Sequence, residues 1–156
     1  MSIKVEDLAP EFKLQNTERE FVQLSDYKGK KNVLILFFPL AFSSVCTSEL
    51  CSTRDNLKIY ESFNAEVLAI SIDSFFVQKV FKDSQNISFQ ILSDFNKEAS
   101  KAYGVLDLDF FGMKGVSKRS AFVIDKEGIV MYAEVLDDSS NIPNFNLIQD
   151  VLKKLG

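Results

Sequence analysis

Histidine is absent from these 156 residues, and cysteine occurs only twice. Without histidine there is no Ser-His-Asp or Cys-His catalysis and no histidine-ligated metal site. Two cysteines alone fall short of the four Cys/His ligands that a closed structural zinc site uses. They are Cys46 and Cys51, spaced C-x4-C, so the C-x-x-C of a dithiol oxidoreductase is missing too. Positive charge is not in excess: 18 Lys and Arg stand against 22 Asp and Glu, a net charge of −4. That disfavours broad electrostatic binding to nucleic acid or to an anionic membrane. The longest apolar run, Val33 to Phe42, contains a proline and is too short to cross a bilayer. The opening MSIKVEDLAPEF has no basic segment leading into an apolar one, so no secretory leader is expected and the cytoplasm is the default compartment. Stable structural disulfides are rare there, which turns attention to what two thiols do instead. No repeats, low-complexity stretches or linkers interrupt the chain, and residues 1–156 read as a single domain.

What is present alternates between strand and helix patterns. REFVQLSDYKG reads as a short strand running into a turn. KNVLILFF, 31–38, is a continuous apolar run of the kind found in a strand buried on both faces. Residues 44–63 read as a helix, and AEVLAISID, 65–73, as a second buried strand. SFFVQKVFKDSQ, 74–85, reads as a helix with Phe76, Val80 and Phe81 inward. FQILSD is a short strand, and NKEASKAYG a helix closed by Gly104. After a glycine-broken loop, SAFVID and IVMYAEV form a hairpin around KEG. Residues 144–155 form a last helix that follows Pro143 and faces the core through Phe145, Ile148, Val151 or Leu152, and Leu155. The order predicts an α/β fold with a central mixed β-sheet flanked by helices, after an N-terminal extension.

Both cysteines fall on the first predicted helix. Ser43 and Ser44 are each suited to cap its start. Cys46 then lies in the first turn, where unpaired N–H groups and the helix dipole favour an anion, which for cysteine is the thiolate. An unperturbed thiol, with a pKa of about 8.5, is only about 3% ionised at pH 7, so a nearby cation would matter, and here it must be Arg or Lys. The plain alternative is a small buried hydrophobe. Cys46 shares a helical stripe with Leu50, Leu57 and Tyr60, whereas Cys51 falls among Arg54, Asp55, Lys58 and Ser62. Packing does not explain a cysteine on that polar face. In an intact helix, Cα atoms five residues apart are about 8.6 Å apart, and a disulfide needs about 7 Å or less. If the pair closes, the helix must first unwind.

The stretch PLAFSSVC, at the end of an apolar strand and the start of a helix, resembles the peroxiredoxin signature P-x-x-x-[T/S]-x-x-C. KRSAFVIDKEGIV resembles that family's arginine-bearing strand, and the A-P-x-F and L-S-D-Y-K-G segments near the N-terminus match its opening. The resemblance runs from about Val5 to Val135. It implies a thioredoxin-like fold and a thiol-dependent peroxidase that needs no cofactor. It implies Cys46 as the thiolate that attacks peroxide and becomes a sulfenic acid. Arg119 would hold that thiolate and the peroxide oxygens. Ser43 would stand where a threonine hydroxyl usually meets the peroxide, and Pro39 would wall off water. Backbone N–H groups at Val45 and Cys46 would stabilise charge developing on the peroxide. Glu49 would orient an arginine, and Arg54 has counterparts of less definite role. Each has a plainer reading: Pro39 as a strand end, Ser43 as a cap, Glu49 as a favourable charge in a first turn, Arg119 as a solvated charge beside Lys118.

Nothing after Cys51 is a thiol, so the C-terminal resolving cysteine of typical two-cysteine members is missing. PLAF and the short chain resemble the alkyl hydroperoxide reductase E-like, one-cysteine group. The C-x4-C spacing resembles the bacterioferritin comigratory protein, or peroxiredoxin Q, group, in which the resolving thiol lies on the same helix. That likeness implies a Cys46–Cys51 disulfide reduced by thioredoxin or a similar dithiol. Resolution by an external thiol, a peroxide sensor or redox relay, a thiol–disulfide reductase and an inactive scaffold are the competing readings. Phe42, Phe110 and Phe111 fall in loops expected near the site, as an apolar substrate rim or a homodimer face.

Overall fold

The computed structural model describes residues 3–156. Met1 and Ser2, the start of the stretch read for a leader, lie outside the described residues. Seven strands form one sheet in the order β2-β1-β5-β4-β3-β8-β9. Its centre is β3 (Asn32–Phe37), every residue of which is buried, as the apolar run that begins at Val33 predicts. β3 runs parallel to β4 (Ala65–Ser71) and antiparallel to β8 (Ser120–Ile124), so the sheet is mixed. β5 (Gln90–Ser93) continues the parallel side, and β9 (Val130–Val135) closes the other edge as the hairpin partner of β8. The N-terminal hairpin, β1 (Lys13–Asn16) and β2 (Phe21–Gln23), adds antiparallel to β5.

Alternation along β3 divides the core between two faces. Val33, Ile35 and Phe37 pack with Phe12, Tyr103 and Phe122, and this face is covered by α4 (Glu98–Ala102) and the chain before β1. Leu34, Leu36 and Phe38 pack with Cys46 and Leu50 of α1 (Ser44–Asp55), Tyr60 of α2 (Leu57–Ser62), Phe81 of α3 (Phe75–Ser84), and Ile148 and Leu152 of α5 (Phe145–Leu155).

Several details depart from expectation. The helix expected over 44–63 is two helices, broken at Asn56, whose φ of −106° and ψ of 12° leave the helical region. β1 was not expected, because KLQN is three-quarters polar; it is held by pairing with β2 and β5 rather than by its own composition. The glycine-broken loop holds a small ribbon of β6 (Leu106–Asp107) with β7 (Val116–Ser117). On α3, Phe81 is buried, but Phe76 and Val80 are 61% and 60% exposed, contrary to their expected inward facing. The inner position goes to Gln78, whose Nε2 donates to Ser71 Oγ at 3.0 Å and to the Leu92 carbonyl at 2.9 Å. Among the described residues no helix is long and apolar enough to cross a membrane.

Candidate active site

Sheet topology brings together residues far apart in sequence. α1 begins just beyond the C-terminal end of β3. β8 runs antiparallel to β3, with Phe37 opposite Ser120. The residue before Ser120 is Arg119, so pairing at this end of the sheet sets Arg119 beside the first turns of α1.

There the guanidinium is buried and held by three contacts. Nη2 donates to Cys46 Sγ at 3.2 Å, Nη1 to Glu49 Oε1 at 2.7 Å, and Nε to the Ser139 carbonyl at 3.2 Å. Arg119 is 1% exposed, and Cys46 and Glu49 are fully covered. The solvated-charge reading of Arg119 is thereby excluded. A planar fork that meets three partners in fixed directions cannot be replaced by the point charge of lysine. Burial works against the Arg119 charge, but the neighbouring Cys46 and Glu49 outweigh it, and its pKa is raised. Burial drives the Glu49 carboxyl up to about 7, even with Arg119 pulling it down. Its second oxygen, Oε2, has no hydrogen-bond partner among the described residues.

The approach to α1 is fixed by a different set of contacts. Ser43 is the N-cap by backbone position, and its carbonyl accepts from Thr47 N at 2.9 Å. Its hydroxyl does not cap the helix; it donates to the Leu40 carbonyl at 2.9 Å and so tightens the loop. Pro39 is buried at the end of β3. Asp73, which follows β4, accepts from Ala41 N at 2.8 Å and from Ser71 Oγ at 2.7 Å. Phe42 adopts φ of 70°, a conformation that costs a bulky residue energy, and packs edge-on against Phe81 with ring centroids 5.1 Å apart.

A cavity of about 150 Å³ opens beside this cluster, lined by Ser43, Ser44, Val45, Phe110, Phe111, Arg119, Ser139 and Ser140. Phe110 and Phe111 form an edge-to-face pair at its mouth, and Phe111 is 86% exposed. Phe42 does not line it. The site therefore unites Ser43, Cys46, Glu49 and Arg119, with Pro39 at the preceding strand end. Cys51 lies apart, half-buried, its Sγ donating to Gln85 Oε1 at 3.4 Å. Arg54 is with Cys51 and not with Cys46; it donates to the Gln85 carbonyl and to Asp55 Oδ1. Both thiols are free. Sequence reasoning did not single out Asp73, Ser139 or Gln85. Ser139 acts through its backbone carbonyl, and no side-chain pattern marks that; the only trace was the turn-forming composition of DDSSN.

Residues 5–133 match the AhpC/TSA family. The chain is 39% identical over 129 residues to alkyl hydroperoxide reductase E of Mycobacterium tuberculosis, covering 81% of this chain and 82% of that one. The crystal structure of peroxidoxin BcpB from Mycobacterium tuberculosis superposes with a TM-score of 0.88 at 25% identity, covering 99% of both chains. The reduced 2-Cys peroxiredoxin of Plasmodium vivax superposes with a TM-score of 0.83 at 31% identity, over 96% of this chain and 94% of that one. The fold is the thioredoxin-like one of these structures.

Proposed function

The chain belongs to the AhpC/TSA family and is a peroxiredoxin, a thiol-dependent peroxidase; from that premise we propose that Cys46 is its peroxidatic residue and that Cys51 resolves it. The observation that carries the first half is the 3.2 Å contact from Arg119 Nη2 to Cys46 Sγ in a buried pocket. An always-charged donor there faces the reacting sulfur and the place where peroxide oxygens would carry negative charge. The thiolate attacks the outer oxygen of the peroxide, a sulfur–oxygen bond forms, and the O–O bond breaks. Cys46 becomes a sulfenic acid, and the leaving alkoxide or hydroxide takes up a proton to leave as alcohol or water. Arg119 and the N–H groups of Val45 and Cys46 meet the negative charge that develops on those oxygens. Glu49 is a positioning residue for Arg119, as is the Ser139 carbonyl. Ser43 supplies a hydroxyl at the mouth of the site, and Pro39 excludes water beneath it. The substrates are hydrogen peroxide and organic hydroperoxides.

The second half is supported by the make-up of α1. SVCTSELCSTRD has three serines and two threonines and no alanine, so intrinsic propensity does little for it. Thr47 and Thr53 bond back to the carbonyls of Ser43 and Glu49, a contact that weakens and bends helices. Such a helix opens at low cost, which a Cys46–Cys51 disulfide requires. Thioredoxin or a similar dithiol would reduce that disulfide, in the cytoplasm, on a single domain. Exposed Phe42, Phe76 and Phe111 support a homodimer, which light scattering after size exclusion would detect.

Steady-state peroxide consumption coupled to thioredoxin tests the function. Wild type turns over continuously, and Cys46→Ser falls to background. Equal activity in Cys46→Ser would overturn the assignment.

A further inference from the structure

Cys51 is tethered to another helix through one residue. Its Sγ donates to Oε1 of Gln85, the residue that caps the C-terminus of α3. The other end of that amide donates to Ser84 Oγ at 3.4 Å, which leaves Oε1 as the acceptor offered to Cys51. Three residues beyond Cys51, Arg54 Nη1 donates to the main-chain carbonyl of the same Gln85. Both polar contacts from this part of α1 to α3 thus end on Gln85. The segment they hold, 51–54, lies just before the break at Asn56. It is also the segment that has to leave the helix before Cys51 can reach Cys46. Nothing at the peroxide site touches Gln85, since Cys46 is served by Arg119 and the first turn of α1.

We infer that Gln85 is a latch that holds Cys51 in the helix and sets the rate at which the Cys46 sulfenic acid is resolved. This rests on the reading of Cys51 as the resolving thiol. In the step concerned, Cys51 gives up its proton and attacks the sulfenic sulfur. The S–S bond forms, the S–OH bond breaks, and the hydroxyl leaves with that proton as water. The Cys51 thiol is oxidised as the sulfenic sulfur is reduced. Until the latch opens, a second peroxide can oxidise the sulfenic acid to sulfinic acid and leave as alcohol or water. Gln85 therefore sets the balance between turnover and inactivation. It is a positioning residue and takes no part in the first oxidation.

Rapid mixing with peroxide, followed by intact mass at successive times, separates the two steps in the full-length protein. For Gln85→Met, the rate of Cys46 oxidation stays at the wild-type value. Disulfide formation speeds up about two- to threefold, the low end of one hydrogen bond's net contribution, because a thiol is a weak donor. The peroxide dose that yields sulfinic acid rises by a similar factor. Gln85→Glu keeps an acceptor for Cys51 beside Arg54, and its disulfide forms no faster than in wild type. Arg54→Met removes the second tether and speeds the same step, which gives an independent reading if Gln85→Met does not fold. General loosening of the fold would slow the first oxidation as well. Unchanged disulfide rates in both Gln85→Met and Arg54→Met would overturn the latch. A wild type that never forms the disulfide would overturn the resolving role of Cys51 itself, a separate result.

Discussion

Cys46 and Cys51 share one twelve-residue helix, and the fold treats them differently. Cys46 is fully covered, set against a buried guanidinium whose other donors are locked by Glu49 and Ser139. Cys51 is half-buried and has one sulfur hydrogen bond, to a side chain at the end of α3. Rigid, desolvated surroundings suit a group that must meet a peroxide in one geometry. Loose surroundings suit a group that must travel. On the proposed roles one helix serves both needs: its first turns are fastened to β8 through Arg119, while the polar contacts from its far end to α3 go to Gln85.

The largest effect comes from dismantling the rigid half. Arg119→Met removes the donor on Cys46 and the partner of Glu49 together, and it lowers the rate of Cys46 oxidation by about 10²–10³-fold, as for loss of one donor to developing oxyanion charge. Arg119→Lys restores charge without the fork and recovers only part of that loss. A full recovery in stopped-flow oxidation would mean that charge alone suffices.

Glu49 gives the next effect, read as stability against pH. Its pKa rises from 4.5 to about 7 because burial disfavours the carboxylate, and Arg119 only partly compensates. The folded chain therefore holds this proton more tightly than the unfolded chain does. The resulting stability is complete below pH 4.5 and is lost as pH rises through about 7. Urea unfolding of wild type, compared with Glu49→Gln, loses about 3 kcal/mol between pH 4.5 and pH 8, at 1.36 kcal/mol per pKa unit. Parallel curves for the two proteins would show that Glu49 stays ionised throughout.

The smallest effect is at Ser43, whose hydroxyl holds the loop at the Leu40 carbonyl. Ser43→Ala slows Cys46 oxidation by about fivefold, the scale of one net hydrogen bond. Ser43→Thr changes it by less than about twofold, since the hydroxyl is kept.

How much of this was legible depended on whether a residue's role is local. β3 and β4 are plain in the sequence because strands buried on both faces carry near-continuous apolar runs, Val33–Phe37 and Val67–Ile70. The last helix was plain because Ile148 and Leu152 recur at helical spacing. β1 was not, since tertiary pairing overrides a polar composition. The inner face of α3 departs from its hydrophobic periodicity because Gln78 is buried for its hydrogen bonds to Ser71 and Leu92. The break at Asn56 leaves no mark in the sequence, since nothing in TRDNLK forbids a continuous helix. At the site, the Cys46–Arg119 contact spans 73 positions, and only the family resemblance brought Arg119 forward. Ser139 contributes a backbone carbonyl and Gln85 a contact across 34 positions, and neither leaves a mark in local sequence.

One helix is proposed to carry both an attacking thiol and a travelling one. Intact mass and free-thiol count after one equivalent of peroxide, for wild type and Cys51→Ser, test it most directly. Wild type is expected to lose two hydrogens and both thiols within a single chain, while Cys51→Ser gains one oxygen on Cys46. A wild type that stops at a Cys46 sulfenic acid with Cys51 still free would contradict it and mark a peroxidase resolved by an external thiol.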